Sequence, residues 1–454
     1  MTIRFWLTTL LAAHLFMTPA SARADDDVDN AASVSEEELE DELEDEMEDE
    51  LEESEELEDE FEDELEDMLE DHDDYEDELE DDLEDRLEDQ LEDLQRYNEE
   101  LIERETERLQ DLWQIEEQLE DLESFVIPDE YIALLSEAEL QQLQQNGAEI
   151  ISSEPLSELD AVLVTFADAD QAAEYQNDSN HLYLLDDAPP VVTASPEPVS
   201  RLMTMLGITS QHPASSVIGM MDSSIELNHP CFSGVAVHER SFYPDHLHAD
   251  TGHGTAMASV MGGACGVLSE ARIVNAAVFA RSPRGLVVAS AREMITGLNW
   301  LVSQQVAVIN LSLSGPPNRI LEMALQRIAD RGIALVASSG NDGAAAFPRY
   351  PAAYPHVLAV TAVDRQQNIY PLAVQGKHLD FAAPGVDVEV ADGASDQMRS
   401  MSGTSLAAAF VTAALAQTEQ TPEELRSLTT DLGERGHDAI FGYGLLQLNK
   451  KTEK

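Results

Sequence analysis

Three residues of this chain have the types and the chain order for nucleophilic acyl chemistry: Asp222, His253 and Ser405. Ser405 stands in Gly403-Thr404-Ser405-Leu406-Ala407-Ala408, where a Gly-Thr pair opens a helix of small residues. A helix start aims unsatisfied backbone N–H groups at any oxyanion that forms there. A serine hydroxyl is a weak nucleophile until a base takes its proton and a third group holds that base. His253 lies between glycines in Thr251-Gly252-His253-Gly254-Thr255-Ala256, at the start of a second small-residue helix. Asp222 ends the apolar run Val217-Ile218-Gly219-Met220-Met221. Singly, each has an ordinary explanation: a turn or capping aspartate, a loop histidine, a Gly-Thr-Ser cap. In the order Asp, His, Ser they point to a triad of orienter, general base and nucleophile.

The elements that must position these groups read as an α/β fold. Apolar runs at 216–221, 273–279, 306–311, 333–337 and 357–362 are short enough for buried parallel strands. Helical patterns at 289–302 and 319–330 fall between them. The alternation predicts a doubly wound, mostly parallel sheet with helices on both faces. The three candidate residues lie where strands end and helices begin, the expected place for a site in such a sheet.

Over residues 201–449 the chain resembles the subtilisin-like serine proteases (subtilases) of the exported bacterial type. The resemblance implies Asp222 as orienter, His253 as base and Ser405 as nucleophile. Ala337-Ser338-Ser339-Gly340-Asn341-Asp342-Gly343 matches the family's oxyanion-hole segment and implies Asn341 as the side-chain donor. Val308-Ile309-Asn310-Leu311-Ser312-Leu313-Ser314-Gly315 matches the strand end that pairs with substrate backbone. Ser312, Leu313, Ser314 and Gly315 are therefore implied to bind peptide by strand addition. The implied activity is that of an exported serine endopeptidase, made as a zymogen and acting on peptide or protein substrates. A weakly active or inactive relative that only binds peptides is the alternative, and an esterase using the same triad is a third. Serine-directed labelling separates a working site from a binding module.

The chain departs from the family pattern at three places. The turn after Asp222 is Ser223-Ser224, with no glycine. Ala409 stands where a proline is usual, four residues past Ser405. The family's His-Pro-Asp-Leu is His229-Pro230-Cys231-Phe232. In calcium-binding relatives that Asp and the loop after the histidine helix share a metal. The resemblance therefore makes Cys231 and Cys265 neighbours and implies a disulfide in place of a calcium clip, suited to an oxidising compartment. Two buried free thiols are the alternative. No cofactor and no metal are expected. His238, His246 and His248 have no metal-motif spacing.

Charge divides the chain. The net charge is −69, and residues 25–123 hold about 55 acids against 4 Arg. Nucleic-acid binding is disfavoured, because phosphate contact needs cationic surface. Residues 1–24 read as a secretory signal, with Arg4, an apolar run at 5–17 and the cleavage-type Ala22-Arg23-Ala24. An uncleaved anchor is the alternative. No later run is long enough for a membrane span, so localisation is expected to be secreted or periplasmic.

The acidic segment is a repeat. Leu39, Leu43, Met47 and Leu51 form one set, Leu57, Phe61, Leu65 and Leu69 a second, and Tyr75, Leu79, Leu83 and Leu87 a third. Steps of four followed by a gap of six give a period of 18, five turns of helix. This draws one apolar stripe. Beyond Leu94 the spacing changes to threes and fours (Leu112, Ile115, Leu119, Leu122), closer to a coiled-coil seam. Like-charge pairs at i,i+4 oppose the helix, so the segment is expected to be helical or disordered according to screening. A dock for a basic partner, a rod responsive to divalent cations and a plain solvated tether remain open.

Residues 124–187 are compositionally ordinary. A helix at 138–145, a strand at 161–166, a helix at 169–175 and an extended 180–185 resemble the small α+β propeptide that precedes many subtilase domains. The chain's own propeptide thus becomes an expected partner of the catalytic domain. A Pro-rich stretch within 188–200 reads as a linker, and 450–454 as a tail.

Overall fold

The structure is a computed structural model that describes residues 126–185, 196–282, 285–418 and 420–449. The expected signal, acidic repeat and C-terminal tail lie outside these residues, as does the expected linker up to residue 195. From Glu197 onward the chain is not a linker. Glu197–Pro198 pairs with the strand Val388–Ala391, and Val199 and Leu202 are buried in the main core. Their apolar side chains have a core within reach, which composition alone does not reveal.

Nine strands form the central sheet. In spatial order they are Thr429–Thr430, Leu445–Leu446, Leu379–Pro384, Leu358–Val363, Ala334–Ser338, Val308–Leu311, Val217–Asp222, Ala271–Ala277 and Val235–Ser241. All neighbouring pairs are parallel except that of the edge strand Thr429–Thr430. The five strands predicted from apolar runs are all present, with ends shifted by one to two residues. Within a strand, alternate residues serve opposite faces. Ile218 and Met220 join one core cluster, and Met221 joins the other. The first face is covered by the helices Gly252–Met261 and Thr404–Gln417, the second by Ala291–Ser303 and Arg319–Ala329. The Thr404–Gln417 helix is buried from Thr404 to Ala416 and apolar on all sides, as a helix across a sheet centre must be. It runs through Ala409 without a break.

The chain leaves Val217–Asp222 toward Ala271–Ala277 on one side and Val308–Leu311 on the other. The sheet order therefore reverses beside Asp222, the point at which strand ends leave a crevice.

Residues 126–185 form a smaller antiparallel sheet in the order Ile150–Leu156, Ala161–Phe166, Val126–Leu135, Asn177–Leu185. Two helices, Glu137–Gln145 and Ala169–Ala172, cover one face. Ser136 and Glu139 close a capping box at the first helix. Two of these strands were not legible in the sequence. Val126–Leu135 contains Pro128 and Asp129, residue types that are depleted in strands. The strand accommodates them with a left-handed Asp129 (φ 57°) and a shift of register between Val126 and Tyr131. Ile150–Leu156 exposes alternate residues and holds Pro155 at the sheet edge, where the missing N–H costs no ladder bond. The second helix is shorter than its pattern, because Asn177 Nδ2 donates to the carbonyls of Ala172 and Tyr175 and ends it.

The other face of this small sheet has no helix of its own. Ile132, Leu134, Leu156, Leu159 and Leu163 pack into the same cluster as Leu298, Leu321 and Leu325 of the two large helices. Asn180 Oδ1 accepts the Arg292 N–H and Asp178 Oδ2 accepts the Arg319 N–H. Each thereby takes up a donor left over at a helix start.

Candidate active site

Asp222 is the last residue of its strand and is fully buried. His253 is the second residue of the helix Gly252–Met261 and is equally buried. Its Nδ1 lies 2.8 Å from Asp222 Oδ1 and 3.0 Å from Oδ2. A carboxylate only accepts, so the Nδ1 end carries the proton, and the ring is turned with Nε2 away from Asp222. The histidine helix can come this close because residue 254 is glycine. A Cβ there would strike the carbonyl oxygens of Ser223 and Ser224.

Ser405 is the second residue of the helix Thr404–Gln417, which packs against the helix that carries His253. The neighbouring Thr404 ties this helix start to the end of the strand Ala334–Ser338. Asn341 Oδ1 accepts from Thr404 N at 3.0 Å and from Thr404 Oγ1 at 3.1 Å. Both partners are donors, which fixes the Asn341 oxygen toward Thr404 and its NH2 group the other way. Ser312 Oγ donates to the Ser405 carbonyl at 3.1 Å. It accepts from Asn310 Nδ2 at 2.8 Å, and Asn310 Oδ1 accepts from Thr412, about two helix turns further on. This chain of bonds locks the helix start to the end of strand Val308–Leu311.

The chain carries the subtilase family model over residues 214–444, slightly more than half its length. It belongs to the subtilase family of serine endopeptidases. It is 31% identical over 246 residues to the minor extracellular protease Epr of Bacillus subtilis, covering 51% of this chain and 37% of Epr. It is 32% identical over 217 residues to Subtilisin BL of Lederbergia lenta, covering 44% of this chain and 77% of that one. The chain thus spans little more than a third of Epr. The solved structure of the prenylagaramide maturation protease PagA is similar over 55% of this chain and 95% of that one, at a TM-score of 0.46 and 23% identity.

Of the residues that the sequence singled out for acyl chemistry, Asp222 and His253 bond directly, and Asn341 bonds Thr404, the neighbour of Ser405. Leu313 and Ser314 form an antiparallel ladder with Leu185 and Leu184, and Gly315 pairs with Tyr350. On the other side Val288, Ala289 and Ser290 pair with Leu184, Tyr183 and Leu182. The end of Asn177–Leu185 thus lies as a third strand between two strands of the subtilase domain. Tyr183 is completely buried there, its ring against Gly315 and its hydroxyl donating to the Pro316 carbonyl at 3.0 Å. Burial pushes its phenol pKa well above the usual tyrosine range.

Sequence reasoning missed the support behind Asp222. Ser223 and Ser224, the turn without its glycine, are held by Glu239 and Asn275. Asn275 Nδ2 donates to the Ser223 carbonyl at 2.9 Å and to Glu239 Oε2 at 2.8 Å. Glu239 Oε2 also accepts the Ile225 N–H at 2.9 Å. Ser223 Oγ accepts the N–H of Gly254, joining the turn to the histidine helix. Burial raises the Glu239 carboxyl pKa, against the pull of these bonds. No local signal marks Glu239 or Asn275, since each sits on a different strand from Asp222.

Cys231 and Cys265 are bridged, with Cα atoms 5.2 Å apart. The bridge joins the turn Pro230–Phe232 to the loop after the histidine helix, and Ala264 N also donates to the Cys231 carbonyl.

Proposed function

We propose that this chain is an exported endopeptidase that hydrolyses peptide bonds through Asp222, His253 and Ser405. The observation that carries the reading is the buried Asp222–His253 pair, whose histidine stands on a helix packed against the helix that Ser405 opens. In this reading Ser405 Oγ attacks the scissile carbonyl as its proton passes to His253 Nε2. Asp222 stabilises the imidazolium that results. The Asn341 amide and the Ser405 N–H receive the developing oxyanion, which is where preorganised donors contribute most. His253 then returns the proton to the leaving amine. Water hydrolyses the acyl-enzyme by the same path in reverse.

The reading extends to a zymogen. Residues 124–187 act as a propeptide, 201–449 as the catalytic domain, and self-cleavage falls between Leu185 and Arg201. The ladder that Tyr183, Leu184 and Leu185 make between two strands supports this, since it is how an extended peptide would bind. Export rests on the signal-like residues 1–24. The extracellular relative supports it, and no helix among the described residues is long and apolar enough to cross a membrane. The acidic segment is proposed to act as a charged, screening-dependent appendage.

The test is Ser405→Ala. The full chain should label with a fluorophosphonate probe and appear cut between residues 185 and 201, whereas the variant should neither label nor be cut. A variant with normal labelling would refute the nucleophile. Identical N-termini in both would refute self-processing.

A further inference from the structure

The register of the occupied groove identifies which residue of a bound peptide meets Ser405. Leu185 faces Leu313 and Leu184 faces Ser314. One step further along, an extended occupant faces Ser312, whose hydroxyl is bonded to the Ser405 carbonyl. The residue one past the Leu185 position therefore lies at the nucleophile, and the space beside it decides what side chain is accepted.

Two segments meet the start of the Ser405 helix there: Ser312, followed by Leu313–Gly315, bonds Ser405, and Gly340 and Asn341 bond Thr404. Arg349 bridges the two. Its neighbour Tyr350 is tied to Gly315 by two backbone bonds, N–H to carbonyl in each direction, at 2.9 and 3.1 Å. The arginine stem crosses to Gly340, where Arg349 Cγ lies 3.0 Å from the point a Cβ would occupy. Gly340 is left-handed (φ 106°) and has no side chain, so the stem can lie against it. Gly340 in turn exchanges bonds with Thr404, next to Ser405. The guanidinium is steadied through one donor only, Nε to Asp342 Oδ2 at 2.7 Å. Its two terminal nitrogens bond no other described residue. It is partly open to solvent (38% exposed), and so is Asp342. A guanidinium is always charged, and its NH2 pair is shaped to take a carboxylate in two parallel bonds.

We propose that this pocket takes an acidic side chain, so that the protease cleaves after Asp or Glu. The proposal rests on the hydrolase reading above and names its substrate class. The sequence that continues from Leu185 agrees with it, since it is Asp186-Asp187. Within the processing interval, the proposal selects the bond after Asp186.

The experiment uses the full chain, left to process itself, and two peptide anilides, acetyl-Tyr-Leu-Leu-Asp and acetyl-Tyr-Leu-Leu-Leu. The aspartyl peptide should be turned over about 10- to 100-fold faster in kcat/KM, the range that one charge-assisted contact supplies. Arg349→Glu should reverse the order of the two peptides, and Arg349→Lys should keep it. Labelling by the fluorophosphonate reports that each variant has formed its site. If Arg349→Glu does not label, Arg349→Gln replaces it, and the ratio should fall toward one. A labelled enzyme that treats the peptides equally or prefers leucine overturns the inference alone. So does an Arg349→Glu or Arg349→Gln variant that keeps the aspartyl preference. A chain that neither labels nor cleaves either peptide overturns the hydrolase reading and the inference with it.

Discussion

The subtilase domain and the small sheet of residues 126–185 bury their apolar surface in different ways. The large domain closes both faces of its sheet with its own helices. The small one closes a single face, with a core of eight buried residues from Ala133 to Ala172. Its second face is completed only by Leu298, Leu321, Leu325 and their neighbours on the other domain. About 60 residues bury a modest fraction of their surface even when fully packed. The large domain thus covers its own sheet, whereas the small one leaves one face to be covered by the other domain, on a surface that also contains the groove.

The sharpest way to break this comparison is to damage chemistry without damaging packing. Asn341→Ala should leave the small sheet docked and lower turnover by on the order of 100–1000-fold, since one oxyanion donor is gone. Single-turnover acylation rates and fluorophosphonate labelling measure it. A turnover within about tenfold of the parent would remove Asn341 from the site. A second cut separates the domains by their fastening. The Cys231–Cys265 bridge closes a loop of 34 residues in the large domain only. Its reduction should cost roughly 3–4 kcal/mol on the chain-entropy model and lower the thermal midpoint, while chelators leave that midpoint unchanged. Two reactive thiols in unfolded, unreduced protein would contradict the bridge.

Leu163→Ala tests the borrowed face. It should weaken docking of the small sheet by about 2 kcal/mol, the low end for a buried leucine, because two parts meeting there can close on the gap. In Ser405→Ala protein, hydrogen exchange should then rise across 126–185 and stay unchanged in the Thr404–Gln417 helix. Equal changes in both would show one cooperative unit instead of a host and a dependent. The smallest effect concerns the support behind Asp222. Burial raises the Glu239 pKa, so the folded state holds that proton more tightly than the unfolded chain. Stability then falls as pH rises from the ordinary glutamate value, about 4.3, through the raised one. Glu239→Gln should remove that part of the decline. Its unfolding free energy relative to the parent should grow between pH 4 and pH 7 in denaturant titrations. A difference that shrinks over that range would contradict the raised pKa.

Much of the large domain was legible because its signals are local. Apolar runs of five to seven residues announced five strands of the main sheet, and small residues after glycine announced the two helices that carry His253 and Ser405. Val126–Leu135 was hidden because Pro128 and Asp129 are residue types depleted in strands, and only its pairing on both sides with Ala161–Phe166 and Asn177–Leu185 makes it a strand. The sequence by itself determined the candidates Asp222, His253 and Ser405 through short local motifs and their chain order, and the family resemblance added Asn341. Tertiary structure alone decided that Glu239 and Asn275 brace the turn after Asp222. It alone decided that Tyr183 is buried against Gly315, and that the stem of Arg349 lies against Gly340. Those meetings join residues brought together by sheet register and helix packing, and no motif within a few residues of either partner records them.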